Sequence, residues 1–163
     1  MNDFEKRKRQ LLQPLLVEAG AALMDCQGFE YGLALLLLHF GRLGTEGLPP
    51  ETLFLILDDK EKKTAGQLIL MLRRHLTISD GLDEALTNAL TARNKLIHRV
   101  LVDNIERVVD ADSRALLVKE IRRLRSQVQK ASKMLQPFIV ALSEALDGVN
   151  QKQLEKELKE RFA

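Results

Sequence analysis

The segment Thr91-Ala92-Arg93-Asn94-Lys95-Leu96-Ile97-His98-Arg99 interrupts an otherwise Leu-rich pattern with an Arg, an Asn and a His. On a helix turning ~100° per residue, Asn94 and His98 lie ~40° apart, one turn from each other. Arg93 sits ~140° around the axis from His98, and its long side chain can swing back toward the same edge. Ile97, with Leu90 and Leu101, is expected on the core side. That would leave the three polar groups beside the core stripe, where two helices or two subunits meet.

These side chains suit phosphate-ester chemistry. Arg offers a planar fork of donors to phosphate oxygens and stays charged at any working pH. His titrates near neutrality and can give or take a proton. Asn can orient a ribose hydroxyl or fix the His tautomer. Together they can stabilise the charge that grows during transesterification without a metal. A second acid/base group is missing from this helix, and a symmetric dimer would supply it by pairing two copies across a two-fold axis. The plainer reading is a hydrogen-bonded structural His98 flanked by solvated Arg93 and Arg99.

Other chemistries find little support. His39 and His75 read as structural or surface residues, and no HxxxH or HExxH spacing occurs. A lone Cys26 makes neither an internal disulfide nor a Cys-based zinc site. We therefore expect no metal and no cofactor. The absence of a Gly-rich phosphate loop argues against an NTPase.

The elements that must position these residues follow from composition. The chain has 163 residues, 45% hydrophobic but only 4% aromatic, with nine Gly and four Pro. That vocabulary predicts a single all-α domain with a core of Leu and Ile rather than rings. A net charge of +2 excludes a broad basic field of the kind that coats nucleic acid. The charged start MNDFEKRKRQ has no apolar core of the signal-peptide kind. The longest apolar stretch, Leu33 to Leu38, is far short of the ~20 residues a membrane span needs. The expectation is a cytoplasmic protein with no membrane contact.

Along the chain, Asn2 or Asp3 can cap a first helix, which Pro14 opens again or kinks. Leu16, Leu23, Phe29, Leu33, Leu36, Leu37 and Phe40 then predict one helix of about 28 residues, or two joined near Gly28. Gly20, Gly28 and Gly32 would let a neighbouring helix approach. GTEGLPPE at 44–51 is a loop whose Pro-Pro opens a short apolar run, Thr52 to Leu57. Thr64 caps a helix with Leu68, Ile69, Leu72 and Leu76 inside, and Ser79 or Asp80 caps the one bearing Leu82, Leu86, Leu90 and Ile97. Asp110 or Asp112 starts a long helix through Leu142, with Pro137 as a kink. A short charged helix at 149–163 follows Asp147-Gly148. The domain is expected over 1–163, its core about 10–146, as a bundle of four to five helices.

Arg93-Asn94-Lys95-Leu96-Ile97-His98 resembles the R-x4-H motif, with a polar residue after the Arg, of the HEPN superfamily. The context is similar too: a long Leu-rich helix, then Lys63-Thr64-Ala65-Gly66-Gln67-Leu68-Ile69, the motif helix, and a long final helix. The resemblance implies a HEPN-like homodimer that brings two motifs into one cleft. It implies a metal-independent endoribonuclease acting on RNA, of the kind found in toxin–antitoxin, phage-defence or CRISPR systems. By position, Arg93 would bind and polarise the scissile phosphate, His98 would act as general acid/base for 2′-hydroxyl attack, and Asn94 would orient the pair. Glu30 on the first helix is a weaker supporting candidate. Toxins whose partner modifies a Tyr carry it two residues after the His; Val100 stands there instead.

Arg73-Arg74 and Arg122-Arg123 with Arg125 could track a nucleic-acid backbone, or be ordinary exposed charges. Scarce aromatics leave no base-stacking platform. The alternative function is a non-catalytic helical dimerisation module that regulates a partner protein, an antitoxin or another regulator. A third is partner binding through Lys6 to Arg9 and the charged C-terminal helix.

Overall fold

The computed structural model describes residues 3–162; the proposed cap Asn2 lies outside them. Among the described residues the chain is all helix: α1 (Asp3–Arg42), α2 (Pro50–Leu57), α3 (Ala65–His75), α4 (Asp80–His98), a 3-10 turn (Val102–Asn104), α5 (Ile105–Val109) and α6 (Ala111–Phe162). Four long helices carry the all-α fold, and two short ones sit in the connections.

The helix boundaries follow local chemistry. Pro50 opens α2 at a position where a missing N–H costs nothing. Thr64 Oγ1 accepts from the Gln67 N–H at 3.3 Å while the Gln67 side chain accepts from the Thr64 N–H at 2.9 Å, a reciprocal cap that fixes the start of α3. Ser79 caps α4 by accepting from Leu82. Asp110 accepts from the Ser113 N–H at 2.8 Å at the start of α6.

Both long helices run further than expected. α1 is one unbroken 40-residue helix through Pro14 and Gly28. α6 likewise passes Pro137 and Asp147-Gly148 without a break, so residues after 149 continue it rather than forming a separate helix.

The chain divides into two compact units. One takes the chain up to Phe29 together with Ser79–Ser132; the other takes Glu30–Ile78 with residues from Lys133 onward. In the first, α1 buries Leu15, Ala22, Cys26 and Phe29, and α6 buries Leu117, Ile121, Leu124 and Val128. Leu16 and Leu23, expected inside, are exposed. In this first half of α1 the buried stripe runs one residue earlier and includes Glu18, whereas Phe29, Leu33, Leu36 and Leu37 are buried as expected. Glu18 stays charged there because Arg122 donates to it at 2.6 Å and Arg125 at 2.6 Å. Arg125 and Gln129 also reach Asp25 at 2.8 and 3.0 Å. Arg122 and Arg125 are therefore α1–α6 crosslinks. Gly20 and Gly28 are exposed and face open space, so no helix approaches them.

The second unit buries Leu33, Leu37, Leu48, Leu53, Leu68, Ile69, Leu72 and Leu135. Gly47, at φ +79°, lies against the His75 ring, where any Cβ would collide with it. Phe29 is the single ring among the twelve largest fully buried side chains, as the aromatic-poor composition predicts.

By length and composition alone, α1 over Glu5–Arg42 is apolar enough to cross a membrane, with a mean hydropathy of 1.3 in its most apolar window. Within the fold 44% of that window is buried.

Candidate functional site

α4 is held by Leu82, Ala85, Leu86, Ala89, Ala92 and Leu96, which are buried at helical spacing. Small Ala residues at three of those positions let the helix lie close to its neighbours. Leu82 and Leu86 are buried as expected, whereas Leu90 and Ile97 are only partly buried and Leu101 is exposed, Ala89, Ala92 and Leu96 taking their place. Asn94 and His98 each stand two residues from Leu96, ~160° around the axis. They therefore project from the exposed face of α4, away from the core, and Arg93 is partly buried at its edge.

The three residues come together. Arg93 Nη1 lies 3.1 Å from Asn94 Oδ1 and 3.2 Å from His98 Nε2. A guanidinium has no acceptor, so Arg93 donates in both contacts. His98 Nε2 must then offer its lone pair, which puts the ring proton on Nδ1. The arrangement holds a donor fork, an amide and an imidazole base on one solvent-facing turn. Glu30 is partly buried on α1 and belongs to the second unit.

The turn carrying His98 is fixed from behind. Lys95 O accepts from both the Arg99 and Val100 N–H groups, at 3.0 and 2.8 Å, which ends α4 at His98. Val100 is buried, and this explains its apolar identity two residues past the His. Lys95 Nζ reaches Glu120 Oε1 at 2.6 Å, and Glu120 Oε2 accepts from Arg107 at 3.1 Å. Arg107 also donates to Asn104 Oδ1 at 2.7 Å, and Asn104 Nδ2 donates to Val100 O at 2.9 Å. The loop Lys95–Glu120–Arg107–Asn104–Val100 thus closes on the end of α4. Hydrogen bonds from Lys95, then Arg107, hold the Glu120 carboxyl below its ordinary range.

Sequence reading missed this support. Lys95 lies inside the motif, and Asn104 and Arg107 have the i,i+3 spacing of a helical pair. Glu120, 25 residues from Lys95, carries no local signal. Arg99 pairs with Asp103 at 3.4 Å on the surface and stands apart from the cluster's hydrogen bonds. His39 is buried, its Nδ1 without a hydrogen-bond partner, and burial, then Arg42, lowers its pKa. Arg74 and Arg123 are exposed.

Among the described residues no group of three His, Cys, Asp or Glu side chains is placed to hold a metal ion. In comparisons with known proteins, no family model, no curated protein and no solved structure matches this chain.

Proposed function

We propose that Arg93, Asn94 and His98 form the active site of a metal-independent, HEPN-type endoribonuclease, a toxin or phage-defence protein. The observation that carries this reading is the contact of one guanidinium nitrogen with both Asn94 Oδ1 and His98 Nε2 on an exposed turn. Arriving phosphate oxygens draw the Arg93 donors to themselves, since a charged acceptor binds a guanidinium more strongly than a neutral ring nitrogen does. That releases the Nε2 lone pair of His98.

His98 then takes the proton of the ribose 2′-hydroxyl as that oxygen attacks phosphorus. The bond from phosphorus to the 5′ oxygen breaks, leaving a 2′,3′-cyclic phosphate, and the departing oxygen takes a proton. One cluster holds one imidazole, so the proton comes from the His98 of a second copy in a two-fold homodimer, in its imidazolium form with its own Arg93 contact open, and that ring is left neutral. Arg93 neutralises the charge on the nonbridging oxygens throughout.

Total RNA incubated with the purified protein in EDTA tests this. Cleavage is expected with wild type and is lost by at least about 10²-fold in His98→Ala and Arg93→Ala, with the helical circular dichroism unchanged. Intact RNA with the wild-type protein overturns the reading.

A second reading is a non-catalytic dimerisation module that regulates a partner protein. It is favoured by Leu101, Val102 and Ile105, exposed apolar residues just past the cluster, which suit a protein-binding surface. Loss of self-association in the cluster variants, with no cleavage by wild type, would select it.

A further inference from the structure

The first unit contains a pocket of about 520 Å³ away from the α4 motif in sequence, between the start of α1 and the α5–α6 junction. Its floor is aliphatic: Leu11, Leu12, Val108 and Val109. Leu11 and Val109 are exposed to solvent at 57% and 84%, unusual for side chains that line one concavity. Its rim is cationic, formed by Arg7, Lys8 and Arg114, and no acidic residue lines it.

No ion pair engages Arg7 or Lys8 among the described residues, and both are exposed. Arg114 donates to Val108 O at 2.8 Å and Val109 O at 3.4 Å, so it builds the pocket wall by holding the end of α5. Its remaining N–H groups stay available. The Asp110 carboxylate feels Arg114 but is engaged by the Ser113 N–H.

We infer that this pocket binds a small aliphatic anion, an acyl-type chain ending in a carboxylate. The volume lies in the range of small-molecule sites, which are mostly apolar with a few convergent polar groups. Three like charges beside an apolar floor repel one another, and an anion relieves that repulsion. Two Arg forks and a Lys match a carboxylate. The floor holds no ring, so a planar aromatic or a nucleobase finds no stacking partner, whereas a methylene chain covers Leu and Val side chains fully. This inference does not depend on the ribonuclease reading.

Titration of the full chain with decanoate below its micelle-forming concentration tests it, followed by calorimetry and by the methyl resonances of Leu11, Val108 and Val109. Decanol and decylammonium serve as neutral and cationic partners of equal length. Saturable one-to-one binding of decanoate is expected, at least about tenfold tighter than decanol, with shifts at those methyls. Arg7→Glu/Lys8→Glu should reverse the preference toward decylammonium. Arg7→Gln/Lys8→Gln, milder for folding, should bring decanoate down to the level of decanol. Equal affinity for the three ligands overturns the proposal, as does decanoate binding that survives both double variants. Binding only to phosphatidylglycerol vesicles, with none to free decanoate, also overturns it, because the site would then be a membrane contact.

Discussion

At the scale of single residues, the contact between Arg93 and His98 makes a statement about a proton. Because Arg93 can only donate, His98 must carry its ring hydrogen on Nδ1 while the contact stands. Ring nitrogen-15 spectra of the neutral imidazole should show Nε2 as the unprotonated nitrogen. In Arg93→Ala that preference should relax while the backbone spectrum of α4 stays in place. An Nε2–H tautomer in the wild type would dissolve the resting geometry from which the proposed chemistry starts. Lysine at position 93 separates charge from shape: it keeps the cation but loses the planar fork, so on the ribonuclease reading cleavage should fall by about 10-fold or more. Recovery of full cleavage in Arg93→Lys would leave only a charge requirement.

At the scale of elements, α4 presents the cluster because its far side is buried and its end is clamped. Glu120 is the shared acceptor of that clamp. Glu120→Gln keeps the shape and removes the charge, so stability should drop by about 1 kcal/mol, measured by urea unfolding. Amides of Arg99 and Val100 should exchange faster, since their acceptor Lys95 O sits in the turn that loosens. An unchanged exchange pattern would mean that packing of Leu96 and Val100 alone holds the turn. In α1 the expected gain has the opposite sign. Gly20 and Gly28 lie in helix interior with nothing near a new Cβ, so each Gly→Ala should stabilise by roughly 0.5–1 kcal/mol.

The same elements show what the sequence could disclose. Thr64, Ser79 and Asp110 announce their helices because a cap acts on the very next turn. Arg93, Asn94 and His98 are close in sequence, so helical geometry alone suffices to gather them. The second half of the α1 stripe, Phe29 to Leu37, reads directly, but its first half does not, because a charged Glu18 occupies a buried position and only its partners Arg122 and Arg125, about a hundred residues away, make that tolerable. In α4 Leu82 and Leu86 are buried as expected, but further along the burial side departs from apolar size: Ala85, Ala89 and Ala92 mark the close-packed face, while larger Leu90 and Ile97 lie at its margins. Hydrophobic size pointed one way and packing distance the other.

At the scale of the whole molecule, acid sensitivity should arise in two stages located in different units. In the second unit His39 is buried with a lowered pKa, so the unfolded chain takes up its proton first. Its contribution is complete above the ordinary value of 6.5 and is lost as pH falls from there through the lowered folded value, by no more than about 1.4 kcal/mol per pH unit for one proton. In the first unit Glu18 and Glu120 have lowered values, Glu18 through its hydrogen bond from Arg122 above all. Their contribution is complete above 4.5 and is lost below it, as pH falls through the folded values. Unfolding curves against pH should therefore decline gently below about 6.5 and steeply below about 4.5. His39→Leu should erase the first decline and leave the second.

Assembly is the other whole-molecule question, because the proposed reaction needs an acid that a single cluster does not hold. Val102 and Ile105 are exposed at 73% and 66% immediately beyond His98, and an apolar surface next to a polar site favours a partner there. If that partner is a second copy, Val102→Glu/Ile105→Glu buries like charges opposite one another across the two-fold axis and separates the subunits. Neither residue belongs to the cluster or its clamp, so the helical signal should remain and the Arg93–His98 tautomer signature should persist. Sedimentation at micromolar concentration should then report a dimer for wild type and a monomer for the double variant, with RNA cleavage lost in step. A monomeric variant that still cleaves would place the missing acid within one chain. A wild-type protein that sediments as a monomer removes the composite site altogether.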